Sequence, residues 1–95
     1  MIERHVTFDV FPEKAQEFES LFSGQYRPAM AKSPGFVRVE LLRLKEDQQR
    51  YQMVIRFNSE EEAAAWRSSA AHQTLQPKLK PLYGNSHLQV FDVIA

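Results

Sequence analysis

Hydrophobic and polar residues alternate at the start of the chain. Val6, Phe8 and Val10 fall on one side of this alternation. The polar residues between and beside them are His5, Thr7 and Asp9. A period of two residues is that of a β-strand with two unlike faces. The pattern therefore predicts a first strand over residues 2–11.

A helical pattern follows the first strand. Pro12 suits the first helical turn, because its missing N–H would find no partner within the helix there. Apolar residues then recur three or four positions apart, at Ala15, Phe18, Phe22, Tyr26 and Met30. This spacing predicts one apolar stripe that faces a core. Gly24 and Pro28 predict a kink or break in the second half, and Ser33-Pro34-Gly35 predicts the end of the helix.

Two further alternating segments predict a β-hairpin. Residues 36–45 and 51–57 alternate, and the polar residues 46–50 lie between them. A polar segment between two strand-like runs is typical of a hairpin connection. In the second arm, Tyr51, Met53, Ile55 and Phe57 share one face, and Gln52, Val54 and Arg56 share the other.

The second helical region begins with a clear capping signal. Ser59 and Glu62 have the spacing of a capping box, in which each side chain satisfies a free backbone donor at the start of a helix. Leucines at helical spacing continue the pattern to residue 82. Pro77 and Pro81 interrupt that pattern, so we expect two helical pieces.

The last segment completes the predicted fold. Tyr83-Gly84-Asn85-Ser86 predicts a turn, and the alternation over residues 87–94 predicts a final strand. The element order is then β-α-β-β-α-β, which is that of a ferredoxin-like α+β fold with both helices on one face of a four-stranded antiparallel sheet. Ninety-five residues allow one domain, over residues 1–95.

The size of the chain favours self-association. A domain this short buries little surface on its own, and the absence of cysteine excludes disulfides as a source of stability. Apolar residues stand on both sides of the first three predicted strands, whereas the helices can cover only one face of the sheet. We therefore predict a homodimer, or a larger ring, in which two sheets form a dimeric α+β barrel.

Charge and the N-terminal sequence limit the other partners. Twelve basic and twelve acidic residues cancel, so the overall field does not attract nucleic acid. The start of the chain lacks the pattern of a signal peptide, and no apolar run is long enough to cross a bilayer. The chain is thus expected to be cytoplasmic, with no membrane and no nucleic-acid partner. His5, His72 and His87 lie far apart, so we expect no metal site.

Three short stretches resemble the antibiotic biosynthesis monooxygenase family. They are Pro34-Gly35-Phe36, Phe57-Asn58-Ser59 and Ala65-Trp66-Arg67-Ser68-Ser69-Ala70-Ala71-His72. At these separations, and with this element order, the resemblance covers nearly the whole chain. It implies a dimeric α+β barrel. The family includes cofactor-independent oxygenases of polyketide quinols, a quinol monooxygenase, haem-degrading enzymes and a signal-molecule isomerase, and fold alone does not choose among them.

The chain departs from the family pattern in two ways, and the first of them bears on which of these functions it has. In the haem-degrading branch, an Asn on the first strand and a haem-ligating His about one turn beyond the position of His72 are expected. This chain has Val6 and Gln76 at the aligned places, so the resemblance disfavours haem degradation. Phe57 stands at the end of the third strand, where many relatives carry Trp, so the family's ring stacking at this place is not carried over to this chain.

The resemblance and the residue types make His72 the candidate catalytic base. Imidazole titrates near neutral pH and could take a proton from a phenol or quinol. The structural alternative is a histidine that caps carbonyls at a helix end or lies in an interface. Trp66 could form the floor of an aromatic-binding cavity, or it could simply fill the core.

The remaining candidates would bind substrate. Tyr51, Met53 and Phe57 suit an apolar, aromatic-lined pocket, although core packing explains them equally well. Arg56 could stabilise a developing anion, or it could pair with an acid across strands.

Two functions follow as hypotheses. The first is a monooxygenase without flavin, metal or other cofactor, in which a bound aromatic, quinol or polyketide-like substrate is deprotonated and its own carbanion activates dioxygen. The second is a non-catalytic barrel that binds or protects a small apolar or aromatic ligand. The second hypothesis predicts that replacing His72 leaves ligand affinity nearly intact.

Overall fold

A four-stranded antiparallel sheet forms one layer of the molecule. The computed structural model describes all residues 1–95. The strands are β1 (Ile2–Val10), β2 (Phe36–Arg43), β3 (Arg50–Phe57) and β4 (Tyr83–Asp92). They lie in the order β2-β3-β1-β4, with antiparallel pairing throughout. The predicted ferredoxin-like α+β fold is confirmed.

Short helical segments cover one face of this sheet. Between β1 and β2 lie a 3-10 turn (Pro12–Lys14), α1 (Ala15–Leu21), a π-helical turn (Phe22–Tyr26) and α2 (Arg27–Ala31). Between β3 and β4 lie α3 (Glu60–Ser68), α4 (Ala70–Leu79) and a 3-10 turn (Lys80–Leu82). None of these helices is long and apolar enough to cross a membrane.

The core lies between this sheet face and the helices. Alternate residues of β1 and β3 point into it, including Phe8, Tyr51 and Phe57, which are all nearly inaccessible to solvent. The ring of Phe18 on α1 is fully buried and lies 5.3 Å, centroid to centroid, from the rings of both Phe8 and Tyr51. The predicted stripe on the first helix therefore faces the core as expected.

The predicted kink in the first helical region is a π-helical turn. The N–H of Arg27 bonds to the carbonyl of Phe22, five residues earlier. Pro28 directly follows and has no N–H to donate, so the chain loses a regular α-helical hydrogen bond there. Tyr26 lies in this turn and stays buried against the helices that precede β4.

Gly35 and Glu62 meet where β2 begins. Gly35 has a φ of 79°, and a Cβ at this position would overlap the Glu62 carboxyl group. Its carbonyl accepts a hydrogen bond from the Asn58 N–H at 2.8 Å. Ser59 caps α3, because its Oγ accepts the Glu62 N–H at 3.2 Å and donates to Glu62 Oε1 at 2.9 Å. The predicted cap is present, although the Glu62 carboxylate binds the Ser59 hydroxyl.

The second helical region breaks at Ser69 and not at a proline. Ser69 is extended (φ −70°, ψ 155°), and its Oγ accepts the N–H of His72 at 3.2 Å. A serine side chain that bonds a nearby backbone group competes with helix continuation, which accounts for the break. The two expected helical pieces are present, but Pro77 does not divide them, since α4 runs through that residue.

The predicted turn at Tyr83-Gly84-Asn85-Ser86 was also wrong. These residues form the first part of β4, where Tyr83 pairs with Val10 across an irregularity in β1. The Tyr83 ring packs edge-on against Phe8 with their centroids 4.8 Å apart. Pairing with β1 and this aromatic contact override the local turn signal.

The sheet face away from the helices is largely polar, so the expectation of two apolar faces was wrong. Glu3 lies there between Arg56 and His5, with Arg56 Nε at 2.8 Å from Glu3 Oε1 and His5 Nε2 at 2.6 Å from Glu3 Oε2. Apolar exceptions are few: Val54 is buried, and Leu42 and Phe91 remain exposed. Every residue of β1 that points to this face is polar. The expectation treated the first three strands together and so did not show that this face of β1 has no apolar residue.

Candidate functional site

A cavity of about 290 Å³ lies between the sheet and the second helical region. Its sheet side comes from β1, β3 and β4, and its helix side from α3, α4 and the π-helical turn. The apolar floor consists of Val6, Phe8, Met53, Ile55 and Phe57. Edge strand β4 leaves Leu88 exposed beside it, so the cavity is open to ligands from that side.

Three aromatic rings form the helix side of this cavity. Trp66 and His72 lie 5.4 Å apart, Tyr26 and Trp66 lie 5.7 Å apart, and Tyr26 and His72 lie 6.2 Å apart, all measured between ring centroids. The pairs meet edge to face, which is a favourable geometry for aromatic contacts. Trp66 lies in the last turn of α3, His72 in the first turn of α4 and Tyr26 in the π-helical turn, so the cluster exists only in the folded chain.

Ser69 positions His72. Its hydroxyl holds the His72 N–H and so fixes that residue in the first turn of α4, with its ring in the cavity. Neither ring nitrogen of His72 is hydrogen-bonded within the chain. The imidazole thus caps no carbonyl, and its nitrogens are available to a ligand.

The cavity favours the neutral form of His72. Partial burial lowers its pKa from 6.5, and the positive charges of Arg4 and Arg67 lower it further. At neutral pH the imidazole is therefore unprotonated, which is the state a general base needs.

Tyr26 contributes a neutral hydroxyl to the same cavity. Burial raises the pKa of its phenol to about 12, and Tyr83 adds to that effect. The group therefore stays protonated at neutral pH and is able to donate a hydrogen bond to a bound oxygen atom.

The family of the chain follows from comparison with known proteins. A model of the antibiotic biosynthesis monooxygenase family matches residues 1–78. The chain belongs to this family. A search of curated proteins finds no match.

Solved structures share the monooxygenase-family fold over the whole chain. A protein from Caulobacter crescentus, a candidate antibiotic biosynthesis monooxygenase, superposes with a TM-score of 0.90 at 22% identity, covering 99% of this chain and 90% of that one. SnoaB, a cofactor-independent oxygenase from Streptomyces nogalater, gives 0.88 at 22% identity, with 99% and 93% covered. A further family candidate from Nitrosomonas europaea gives 0.89 at 17% identity, with both chains fully covered.

Four of the six site residues predicted from sequence line this cavity. They are His72, Trp66, Met53 and Phe57. Trp66 and His72 lie on two helices that meet at Ser69. Their proximity therefore depends on the break between α3 and α4.

Tyr51 and Arg56 lie outside the cavity. Tyr51 is buried under α1 and donates a hydrogen bond from its hydroxyl to Glu19. Arg56 lies on the opposite face of the sheet, where it binds Glu3. The structural alternative given for Arg56, pairing with an acid across strands, describes its position.

Sequence reasoning missed Arg4, Tyr26 and Arg67, which also line the cavity. A signal existed for Arg4, because it occupies a position in the otherwise apolar series that runs from Ile2 to Val10.

Val6 and Gln76, the residues aligned with the haem-branch Asn and His, both line the cavity. No group of three or more metal-ligating side chains converges anywhere in the chain.

Proposed function

We propose that this chain is a cofactor-independent monooxygenase that acts on a small aromatic, quinol or polyketide-like substrate. The observation that carries the proposal is the unpaired, neutral imidazole of His72 in an apolar cavity beside Trp66 and Tyr26. Membership of the antibiotic biosynthesis monooxygenase family supports it. So does the shared fold with SnoaB, itself a cofactor-independent oxygenase.

The chemistry begins with a proton transfer to His72. A ring nitrogen accepts a proton from the hydroxyl or acidic carbon of the bound substrate, which becomes an electron-rich anion. That anion reduces dioxygen, and a carbon–oxygen bond forms to give a peroxide, which takes the proton back from the imidazolium. Loss of water leaves a carbonyl, so one oxygen atom enters the product and the other leaves as water. The substrate supplies all the electrons.

The chain's contribution is placement and desolvation. Trp66 and Tyr26 present ring surfaces against which a flat substrate can pack. The Tyr26 hydroxyl can donate a hydrogen bond to a substrate oxygen as negative charge develops there. The apolar floor keeps water from the anion and so favours its reaction with dioxygen.

Dioxygen uptake with a panel of quinols and anthrone-type phenols tests the proposal. Turnover of at least one compound is expected, and replacing His72 with Gln should lower kcat by about 10²–10⁴-fold. His87→Gln is the matched control, because His87 lies on the polar face of β4, opposite Thr7 and away from the cavity. Equal loss in both variants would contradict the assignment of His72.

The same panel of compounds distinguishes the monooxygenase from the alternative function, a non-catalytic barrel that binds or protects a small ligand. That function predicts tight binding of one compound with no dioxygen uptake. It also predicts that His72→Gln leaves the affinity nearly unchanged. Binding with these two features would replace the monooxygenase proposal.

We also propose that the chain is a homodimer, as the family barrel implies. The sheet face carrying Glu3 and Val54 has no covering layer in the single chain. Exposed Leu42 and Phe91 lie on the same face, at 48% and 41% accessibility. Light scattering at micromolar concentration should give twice the 11.1 kDa chain mass. A monomer mass would exclude the dimer without affecting the assignment of the cavity.

A further inference from the structure

Arg4 projects from an apolar surface into the cavity. It belongs to the helix-facing series of β1, with Ile2 and Val6 as its same-face neighbours, and it is half-buried. Arg67, at the end of α3, lines the same cavity from the helix side and is exposed. The two guanidinium groups approach the cavity from opposite walls.

Neither arginine has a counter-ion. Most arginines elsewhere pair with carboxylates, for example Arg56 with Glu3 and Arg50 with Asp9. No Asp or Glu lines the cavity. Asp92 points to the same face as Arg4 but lies opposite Ile2, and it forms no ion pair with Arg4.

An unpaired charge in such a place is unfavourable. Burial lowers the pKa of Arg4, and the nearby charge of Arg67 acts in the same direction. Arginine nevertheless stays protonated in proteins, so the positive charge persists. A ligand anion reaching Arg4 would supply the missing counter-charge and could bind its planar fork through two hydrogen bonds.

We propose that the cavity recognises a small aromatic acid, with the ligand carboxylate on Arg4 and its ring packed against Trp66 and Tyr26. Arg67 at the exposed edge attracts the same group. This inference rests on the proposed function only for the fate of the ligand, since binding requires no turnover. The volume of about 290 Å³ lies at the small end of ligand pockets, which favours a compact ring system.

Trp66 provides a direct readout, because it is the one tryptophan of the chain. Quenching of its fluorescence is to be measured with 1-naphthoate and 2-anthracenecarboxylate, and with the matching neutral carboxamides. The carboxylates should bind about tenfold or more tightly than the amides, as expected for a charge-assisted pair. Added salt should weaken the binding of the acids and leave that of the amides unchanged.

Two variants test whether Arg4 causes the preference for acids over amides. Arg4→Gln should reduce the preference for acid over amide to about twofold or less, while amide affinity stays the same. Arg43→Gln is the matched control, since Arg43 lies on edge strand β2, pairs with Glu19 of α1 and does not line the cavity. Equal melting temperatures of the variants and the parent exclude loss of fold as the cause.

Three results would overturn the inference: equal affinity for acids and amides, no binding of either acid, or an acid preference that survives Arg4→Gln. If Arg4 served only the phenolate formed during turnover, acids and amides would bind equally and only kcat would fall. An acid preference lost in Arg4→Gln, without dioxygen uptake, would support this inference while contradicting the monooxygenase proposal. Dioxygen uptake on neutral quinols without any acid preference would do the reverse.

Discussion

His72 owes its chemistry to what surrounds it. Its ring sits edge to face with Trp66 and Tyr26, and neither nitrogen has a partner in the chain. Burial disfavours the imidazolium, and Arg4 and Arg67 disfavour it further.

The titration of His72 should respond to Arg4. Burial is the largest cause of the lowered His72 pKa, and the positive charge of Arg4 is the second. Removal of that charge in Arg4→Gln should therefore raise the His72 pKa. Any rate limited by the neutral imidazole should fall as pH drops through this pKa, and the fall should begin at higher pH in the variant. The His72 ring resonance in an NMR titration gives the value directly. An unchanged or lowered midpoint in Arg4→Gln would contradict this electrostatic account.

Gly35 should tolerate no side chain. Its φ of 79° strains an L-residue, and a Cβ would overlap the Glu62 carboxyl group. Gly35→Ala is therefore expected to lower the free energy of unfolding by about 2–3 kcal/mol. Gly24→Ala is the control, because nothing lies within 4 Å of the place its Cβ would occupy and its φ is not positive; it should be neutral or stabilising. Denaturant titration compares the two, and similar losses would contradict this explanation.

At the scale of elements, the order and type were predictable from residue spacing. Period-two alternation indicated β1 and β3, and the Ser59–Glu62 spacing indicated the start of α3. These signals are local, so one sequence contains them. The start of β4 was not predictable in this way, because Gly84 and Asn85 favour turns locally and only pairing with β1 makes them a strand.

The candidate site was predictable only in part, for the same reason. His72 and Trp66 were identified through the family resemblance, and Met53 and Phe57 through the apolar face of β3. Tyr51 shares that face but lies under α1, outside the cavity. Alternation along a strand shows which face a residue is on, and it does not show which part of that face borders the cavity. Tyr26 joins the cavity from a distant helix, which requires the tertiary packing.

The cap at Ser69 links element structure to the site. Ser69→Ala removes the acceptor for the His72 N–H and should cost about 1 kcal/mol of stability. It should also lower turnover without changing the His72 side chain, since the first turn of α4 is then less fixed. Ser68→Ala serves as control, because Ser68 is exposed and its hydroxyl makes no hydrogen bond in the chain. If denaturation and turnover respond equally to both substitutions, the cap does not position His72.

For the whole molecule, the polar sheet face changes the reason for expecting a dimer. The carboxylate of Glu3 joins His5 and Arg56, and Arg38 approaches it at 3.6 Å. An interface on this face would be held by charged and hydrogen-bonded groups around Val54, and not by a broad apolar surface. Such an interface should depend on ionic strength.

Acid should weaken the fold through Glu3. Hydrogen bonds from His5 first, and from Arg56 second, lower its pKa from 4.5 to about 2. A carboxylate with a depressed folded-state pKa stabilises the fold fully above pH 4.5, and this contribution is lost as pH falls toward 2. Glu3→Gln should therefore cost about 1–2 kcal/mol at pH 7 and much less near pH 2. Urea titrations at both values measure this, and a pH-independent difference would contradict it.

The central claim is that the Trp66–His72 cavity uses dioxygen on a bound aromatic substrate. Mass spectrometry of the product formed under ¹⁸O₂ by purified, EDTA-treated protein tests it most directly. The account predicts one ¹⁸O atom in each product molecule, with incorporation lowered by about 10²-fold or more in His72→Gln and unchanged in His87→Gln. Product oxygen that comes from water, or ¹⁸O incorporation that does not depend on His72, would contradict it.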